Sequence, residues 1–382
     1  MTRRRRVSIL TASGGSLLLA LFYIFGLNQS LLAANQAELS LTYSSPRGGA
    51  EYVSAHQSLA IRVGDVISDT DLSVEHITLV GSVSGPIAGE LQVAEDNLTL
   101  IFDPVAPFMP GESIEAEING SLIDSETSAE PLILTFTVSP KALDAYQPVV
   151  FFPPPASPPP SVDFDALSYK SLPAPLPLIT ATRHSTSTST SEGFLFLSNI
   201  RWGAFDQTFP YLLVLNESGE PVYTHSGTYG YPFLDFKQQV DESWTFFDTA
   251  TDRYQRLDPL TGKIEPIHTG NGYFADVHEL LILPNGNAVI MIYDEQPFDM
   301  SPVVEGGDPE ATVTGLVLQE IEPSGNVIFQ WRSWDYFEIT DAQDYDLTTN
   351  DVDYAHGNSI EVDQDGHWII SSRTMDEVTK IS

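Results

Sequence analysis

DYAHGNSIEVDQDGHWIISSR, residues 353 to 373, reads as a β-hairpin. Ser359 to Val362 alternates as a strand, Asp363-Gln364-Asp365-Gly366 forms a tight turn, and Trp368 to Ser371 returns. Pairing of the two strands brings the residues that flank them, His356 and Arg373, to one mouth. A histidine beside an arginine can bind an anion and move a proton near it.

The same pattern recurs upstream. Further hairpin turns occur at Asn216–Gly219, Val240–Ser243, Asp258–Gly262, Pro284–Gly286 and Glu322–Gly325. Two kinds of hairpin alternate. YLLVLNESGEPVYTH, RYQRLDPLTGKIEPIH and LVLQEIEPSGNVIFQW are of one kind; SWTFFD, HELLILPNGNAVIMIYDE and NSIEVDQDGHWIISSR are of the other. Like turns repeat at about 40 residues, and a four-strand unit of that period indicates a β-propeller. Two insertions interrupt it, Gln296 to Thr312 and Phe337 to Asp351. The expected fold is all-β, with an incomplete propeller of about three and a half blades over 166–382. The last strand, Glu377 to Ser382, stops inside a blade, so the chain is expected to be a fragment or the product of a prematurely ended gene.

Ahead of this array, 38–140 reads as a separate β-sandwich. Leu59–Val63, His76–Val80, Leu98–Phe102 and Leu132–Val138 are predicted strands, and Ser45–Gly49 and Met109–Glu112 are predicted turns. LTLIFDPVAPFMPGESI, residues 98 to 114, resembles the bacterial Ig-like domains of exported proteins, and that resemblance implies a spacer without a ligand. Residues 141–165 contain FFPPPASPPP, a polyproline run expected to act as a stiff linker. Leu172 to Thr180 reads as a proline-tolerant edge strand and Ser185 to Ser191 as a loose loop.

At the amino terminus, Arg3 to Arg6 precede the apolar run Leu17 to Phe25 and the small residues Ala33 and Ala34. That layout predicts a signal peptide or short membrane anchor over 1–34, and hence a periplasmic, extracellular or cell-surface location. The net charge of −35 disfavours nucleic acid and anionic membrane surfaces as partners. The 382 residues contain no cysteine, which excludes disulfides, thiolate metal sites and cysteine nucleophiles.

His278, in Asp276-Val-His-Glu-Leu, precedes one predicted inner hairpin as His356 precedes another. Inner strands of successive blades line a propeller's channel, so both histidines are expected to converge there. DVHELLILPNGNAVIMIYDE (276–295) and DYAHGNSIEVDQDGHWIISSRTMDEVTKIS (353–382) resemble the bacterial arylsulfotransferases that do not use a nucleotide sulfate donor. The shared features are a histidine before an LPNGN hairpin and an H-x-N-S stretch followed by SSR. The resemblance covers about 193–382 and implies a six-bladed propeller. Its activity would be sulfuryl transfer between phenols through a sulfohistidine, with ping-pong kinetics and no cofactor. It also implies that His278 and His356 support the nucleophile and that Arg373 holds the sulfuryl oxygens. The partners implied are small phenols and aryl sulfates. The family's nucleophilic histidine lies beyond the SSR hairpin, and no histidine follows His367 here. His367 belongs to the far end of its hairpin and is a poor substitute. The chain alone is therefore expected to be inactive or incompletely folded. The competing reading is a non-catalytic cell-surface binding protein, a propeller on an Ig-like spacer. Asp363–Gly366 resembles a calcium loop only in part, the acidic run Asp341 to Asp353 reads as a solvated loop, and no metal site is expected.

Overall fold

A computed structural model describes residues 41–64, 67, 76–119, 130–143, 176, 179–182, 192–201, 209–343 and 345–382. The expected signal or anchor, most of the proline-rich linker and the Ser185–Ser191 loop lie outside the described residues. Among the described residues, no helix is long and apolar enough to cross a membrane.

The described structure is all-β. Eight strands form two antiparallel sheets: β1 (Leu41–Ser45), β2 (Leu59–Val63), β3 (Ile77–Gly81), β4 (Gly85–Ile87), β5 (Gly89–Val93), β6 (Thr99–Pro104), β7 (Ser113–Ile118) and β8 (Leu132–Thr137). Strand orders are β1-β2-β6-β5 and β4-β3-β7-β8. Alternation sends one side of each strand inward. In β7, Ile114, Ala116 and Ile118 are buried while Ser113, Glu115 and Glu117 face out. Those residues join Leu59, Ile61, Leu79, Leu100, Phe102 and Phe136 in one core. The Met109–Glu112 turn is held from below. The buried Glu112 carboxylate accepts the backbone N–H groups of Met109 (2.7 Å), Ser84 (3.0 Å) and Val83 (3.2 Å).

Four further sheets follow in chain order. The first contains β9 (Leu195–Ser198), β10 (Tyr211–Leu215) and β11 (Pro221–Ser226). The second is the meander β12 (Phe233–Gln238), β13 (Trp244–Asp248), β14 (Arg253–Leu257) and β15 (Ile264–Pro266). The third comprises β16 (Leu280–Ile282), β17 (Ala288–Phe298), β18 (Ala311–Ile321) and β19 (Val327–Arg332), with β20 (Asp351–Asp353) added parallel to β18. The fourth contains β21 (Gly357–Val362), β22 (Trp368–Ser372) and β23 (Glu377–Ile381). The six predicted turns each fall between paired strands of these sheets.

The apolar run of β17 shows why the sheets stack. Val289 and Met291 pack toward the fourth sheet, with Leu316, Leu318, Ile360 and Ile370. Ile290 and Ile292 pack toward the second, with Phe247, Tyr254 and Leu280. A strand buried on both faces has no polar alternation, and each sheet completes its neighbour's core.

Two expectations are revised. The insertion over Gln296–Thr312 is smaller than its boundaries suggest, because β17 runs on to Phe298 and β18 begins at Ala311. Nor is the sandwich held apart as a spacer, because it docks on β19. The Tyr43 hydroxyl accepts from the Gln330 backbone N–H at 2.6 Å, and the Gln330 side-chain amide donates to Gln57 at 2.9 Å. Arg332, 2% exposed, donates to the carbonyls of Glu51 (2.7 Å) and Tyr52 (2.9 Å). Ser139 donates to Gln296, and the Tyr52 ring lies against Phe298 and Trp334. The hydrogen-bonded partners are separated by 157 to 287 residues, so no local sequence pattern announces them.

Candidate active site

Two loops reach the same place from adjacent sheets. Each ends at the first strand of its sheet, and each carries an aspartate just before a histidine. In the loop before β16, one oxygen of Asp276 accepts both the backbone N–H of His278 (2.9 Å) and its ring Nδ1 (2.6 Å). At the end of β20, just before β21, Asp353 divides the work. Oδ1 accepts the backbone N–H of His356 at 2.9 Å, and Oδ2 meets its Nδ1 at 2.5 Å. Both turns are closed by an aspartate bonding the chain just ahead of it, a habit of short polar side chains in loops.

The two imidazoles are neighbours, with ring centroids 5.6 Å apart at an interplanar angle of 68°. Tyr293 of β17 completes a triangle. Its ring stacks on His278 at 5.7 Å and meets His356 edge-on at 5.7 Å. Its hydroxyl donates to the carbonyl of Gly357 at 2.7 Å, which ties the third sheet to the fourth beside His356. His356 itself has φ +43°, a left-handed conformation uncommon outside glycine. The next residue is Gly357 because space is lacking. An added Cβ would lie 2.6 Å from Leu316 and 3.0 Å from Met291.

Arg373 follows β22, and its backbone N–H donates to the carbonyl of His356 at 2.9 Å. The hairpin therefore joins the two residues at one mouth. A cavity of 510 Å³ opens there, lined by His356, Arg373, Gln343, Tyr345, Asp351, Asp353, Thr374 and Asp376. Despite three nearby aspartates, the Arg373 guanidinium forms no ion pair among the described residues. It is exposed and open to an external anion.

The electrostatics favour charge on His278. The hydrogen bond that its ring donates to Asp276 is the main cause of its raised pKa; burial opposes the rise, and the fields of Asp276, Asp353 and Asp235 add to it. Asp276 is fully buried, and its second oxygen has no hydrogen-bond partner. Burial, followed by the carboxylates Asp276 and Asp353, drives the Tyr293 hydroxyl far above its ordinary value, and Arg373 opposes that rise. Tyr293 thus remains a neutral hydrogen-bond donor. Behind His278, Lys237 pairs with Asp235 at 2.9 Å and also with Glu279. Asp235 in turn accepts the Tyr254 hydroxyl at 3.0 Å and the Leu280 N–H at 3.2 Å.

Other features offer less chemistry. A larger groove of 890 Å³ lies by Phe196, Tyr223 and Trp244, but its Arg256 and Lys263 are paired with Asp241 and Glu265 and no histidine lines it. Asp363, Asp365 and His367 lie close enough together to hold a metal ion. Asp363 instead accepts the N–H groups of Asp365 (2.8 Å) and His367 (3.0 Å) and pairs with Lys380 at 2.5 Å. Lys380, first among the causes, holds that carboxyl down to about 2. The arrangement is that of a closed hairpin turn.

Sequence reading singled out His278, His356 and Arg373, and the structure gathers them. It assigned no role to Asp276, Asp353 or Tyr293. For the aspartates the signal was present, an acid two or three residues before each histidine. For Tyr293 nothing local exists; its place follows from the register of β17 against β18 and from how the sheets stack.

A family model described as "Arylsulfotransferase (ASST)" matches residues 180–382. No curated protein matches. Among solved structures, a protein of unknown function from Bacteroides caccae is similar at 14% identity and TM-score 0.31; the match covers 50% of this chain and 55% of that one. CopC from Methylosinus trichosporium OB3b (13% identity, TM-score 0.20) and PcoC from Escherichia coli (18%, 0.20) each match 26% of this chain, and 91% and 96% of their own. The chain thus spans little more than half the length of the first of these structures, and at these scores none of the three carries an argument about fold or activity.

Proposed function

This chain belongs to the arylsulfotransferase family, and from that premise we propose that His278, His356 and Arg373 form part of a sulfuryl-transfer site. The donor is a phenolic sulfate ester and the acceptor a second phenol. The observation that carries the reading is the pair of carboxylate-held histidines, 5.6 Å apart, beside a guanidinium that no described carboxylate neutralises.

Arg373 binds the sulfate oxygens through its planar fork, a geometry suited to tetrahedral oxyanions. In the first half-reaction the bond from aryl oxygen to sulfur breaks. The sulfuryl group passes to a histidine nitrogen, and the departing phenolate takes a proton from His278 or His356. In the second, the acceptor's oxygen attacks sulfur, the nitrogen–sulfur bond breaks, and the acceptor's proton returns to the same imidazole. The nucleophile is assigned to neither histidine. Both have Nδ1 engaged by a carboxylate, which suits them to proton transfer and charge stabilisation. By resemblance the nucleophile is a third histidine, in a propeller of six. The amino-terminal pattern supports a role outside the cytoplasm.

Two measurements on the purified 382-residue chain test the reading. Titration with para-nitrophenyl sulfate should show saturable binding that Arg373→Ala weakens. Absence of binding to the folded protein contradicts the site. The same titration of His278→Ala and His356→Ala should show weaker binding in each, and unchanged affinity in both folded variants would remove the histidines from the site.

A further inference from the structure

Beyond the three residues of the proposed site, Asp276, Asp353 and Tyr293 touch the two histidines. We propose that Asp276, Asp353 and Tyr293 are positioning residues: the carboxylates fix each imidazole through Nδ1, which leaves Nε2 for substrate oxygens, and Tyr293 sets the spacing of the two rings. This rests on the sulfuryl-transfer reading for its use, but not for its test.

The geometry is specific. A carboxylate can only accept from an imidazole nitrogen, so Nδ1 must carry the proton in both the neutral and cationic rings. The neutral ring then presents a bare Nε2, able to take the acceptor phenol's proton. The cationic ring presents Nε2–H, able to protonate the leaving phenolate. Rotation of either ring would break a contact of 2.6 or 2.5 Å. Each aspartate also bonds its histidine's backbone N–H, so ring and main chain are aligned by the same carboxylate.

Tyr293 prevents the rings from separating or collapsing. It stacks on one and abuts the other, and its hydroxyl is anchored to Gly357. The charged and titratable groups around His278 are Asp276, Asp353, Asp235, Tyr293 and His356, with Lys237 and Glu279 paired behind them. Of these only Asp276 touches Nδ1, so it is the one whose removal should change the tautomer.

Imidazole nitrogen NMR of the full chain, without substrate, tests this. In the wild type both neutral rings should be Nδ1-protonated. A dominant Nε2-protonated form of either overturns the proposal with no variant needed. In Asp276→Asn the His278 titration should move to lower pH while His356 keeps its tautomer. Asp353→Asn should disturb His356 first, and Asp276→Glu should restore much of the His278 behaviour. Tyr293→Leu should weaken the cross-ring proton contact between His278 and His356, whereas Tyr293→Phe keeps it. An unchanged His278 titration in folded Asp276→Asn, or an unchanged ring contact in Tyr293→Leu, contradicts the assignment. Failure of the sulfuryl-transfer reading would look different: correct tautomers with no sulfate ester bound.

Discussion

The loop before β16 and the loop before β21 carry nearly the same words, Asp-x-His and Asp-x-x-His, yet they are held differently. In the first, Asp276 uses one oxygen for both contacts and keeps the other buried and unpartnered. In the second, Asp353 uses both oxygens, and the extra residue is accommodated by a left-handed His356. The second loop is also anchored at a distance. The Tyr354 hydroxyl meets Ser333, and its ring lies against Trp334, whose other neighbours include Tyr52 of the sandwich. Thr374, next to Arg373, donates to the Tyr354 carbonyl at 2.6 Å. Both loops therefore reach the amino-terminal sandwich, the first directly, where Asn271 accepts from the Ser54 and Ser58 hydroxyls at 2.6 Å each, and the second through the Tyr354 and Trp334 rings.

The contrast can be broken most severely at the sandwich. Arg332→Ala should destabilise the chain by about 3–5 kcal/mol, because it strips a buried cation from beside the buried Asp294. Hydrogen exchange should quicken in both loops, because Gln330 and Ser333, which flank this stretch of β19, hold Asn271 of the first and Tyr354 of the second. Quickening confined to one loop would mean that the sandwich anchors that loop alone. Next, Arg373→Ala should weaken para-nitrophenyl sulfate binding by about tenfold to a hundredfold, the loss of a charge-assisted contact, with little change in melting temperature. Gly357→Ala pushes a methyl group toward Leu316 and Met291 and should cost about 1–3 kcal/mol in urea unfolding, with the His356 signals moving most.

The smallest effect is one of pH. His278 has its folded-state pKa raised above the ordinary value, so its contribution to stability is complete below the unfolded value of 6.5 and is lost as pH rises through the folded one. The melting temperature gap between wild type and Asp276→Asn should thus be widest in mild acid and shrink in alkali. A gap that widens with pH would reverse the assigned role of Asp276.

Much of this was legible in the sequence, for identifiable reasons. Turn chemistry at Asn216–Gly219 or Asp363–Gly366 is local, so hairpins and their period could be read directly. His356 and Arg373 flank one hairpin, and strand pairing alone brings them together. Tyr293 was hidden because its importance arises across two sheets. The docking of the sandwich was hidden because Gln330 and Arg332 look like ordinary polar breaks in VIFQWR, and their partners lie in β1 and the loops after it. The reach of β17 and β18 into the supposed insertion was hidden as well, since Gln296-Pro297-Phe298 reads as a loop and pairs as a strand. The family match then supplied a reaction class that neither spacing nor geometry specifies alone.

The central claim is that both imidazoles and Arg373 face one sulfate group. Imidazole nitrogen spectra recorded while para-nitrophenyl sulfate is added test it most directly. The account predicts that the Nε2 signals of His278 and His356 move together and saturate at the same ligand concentration as the Arg373 guanidinium signal, with both Nδ1 signals nearly fixed. Saturable binding that leaves both Nε2 signals in place would contradict it.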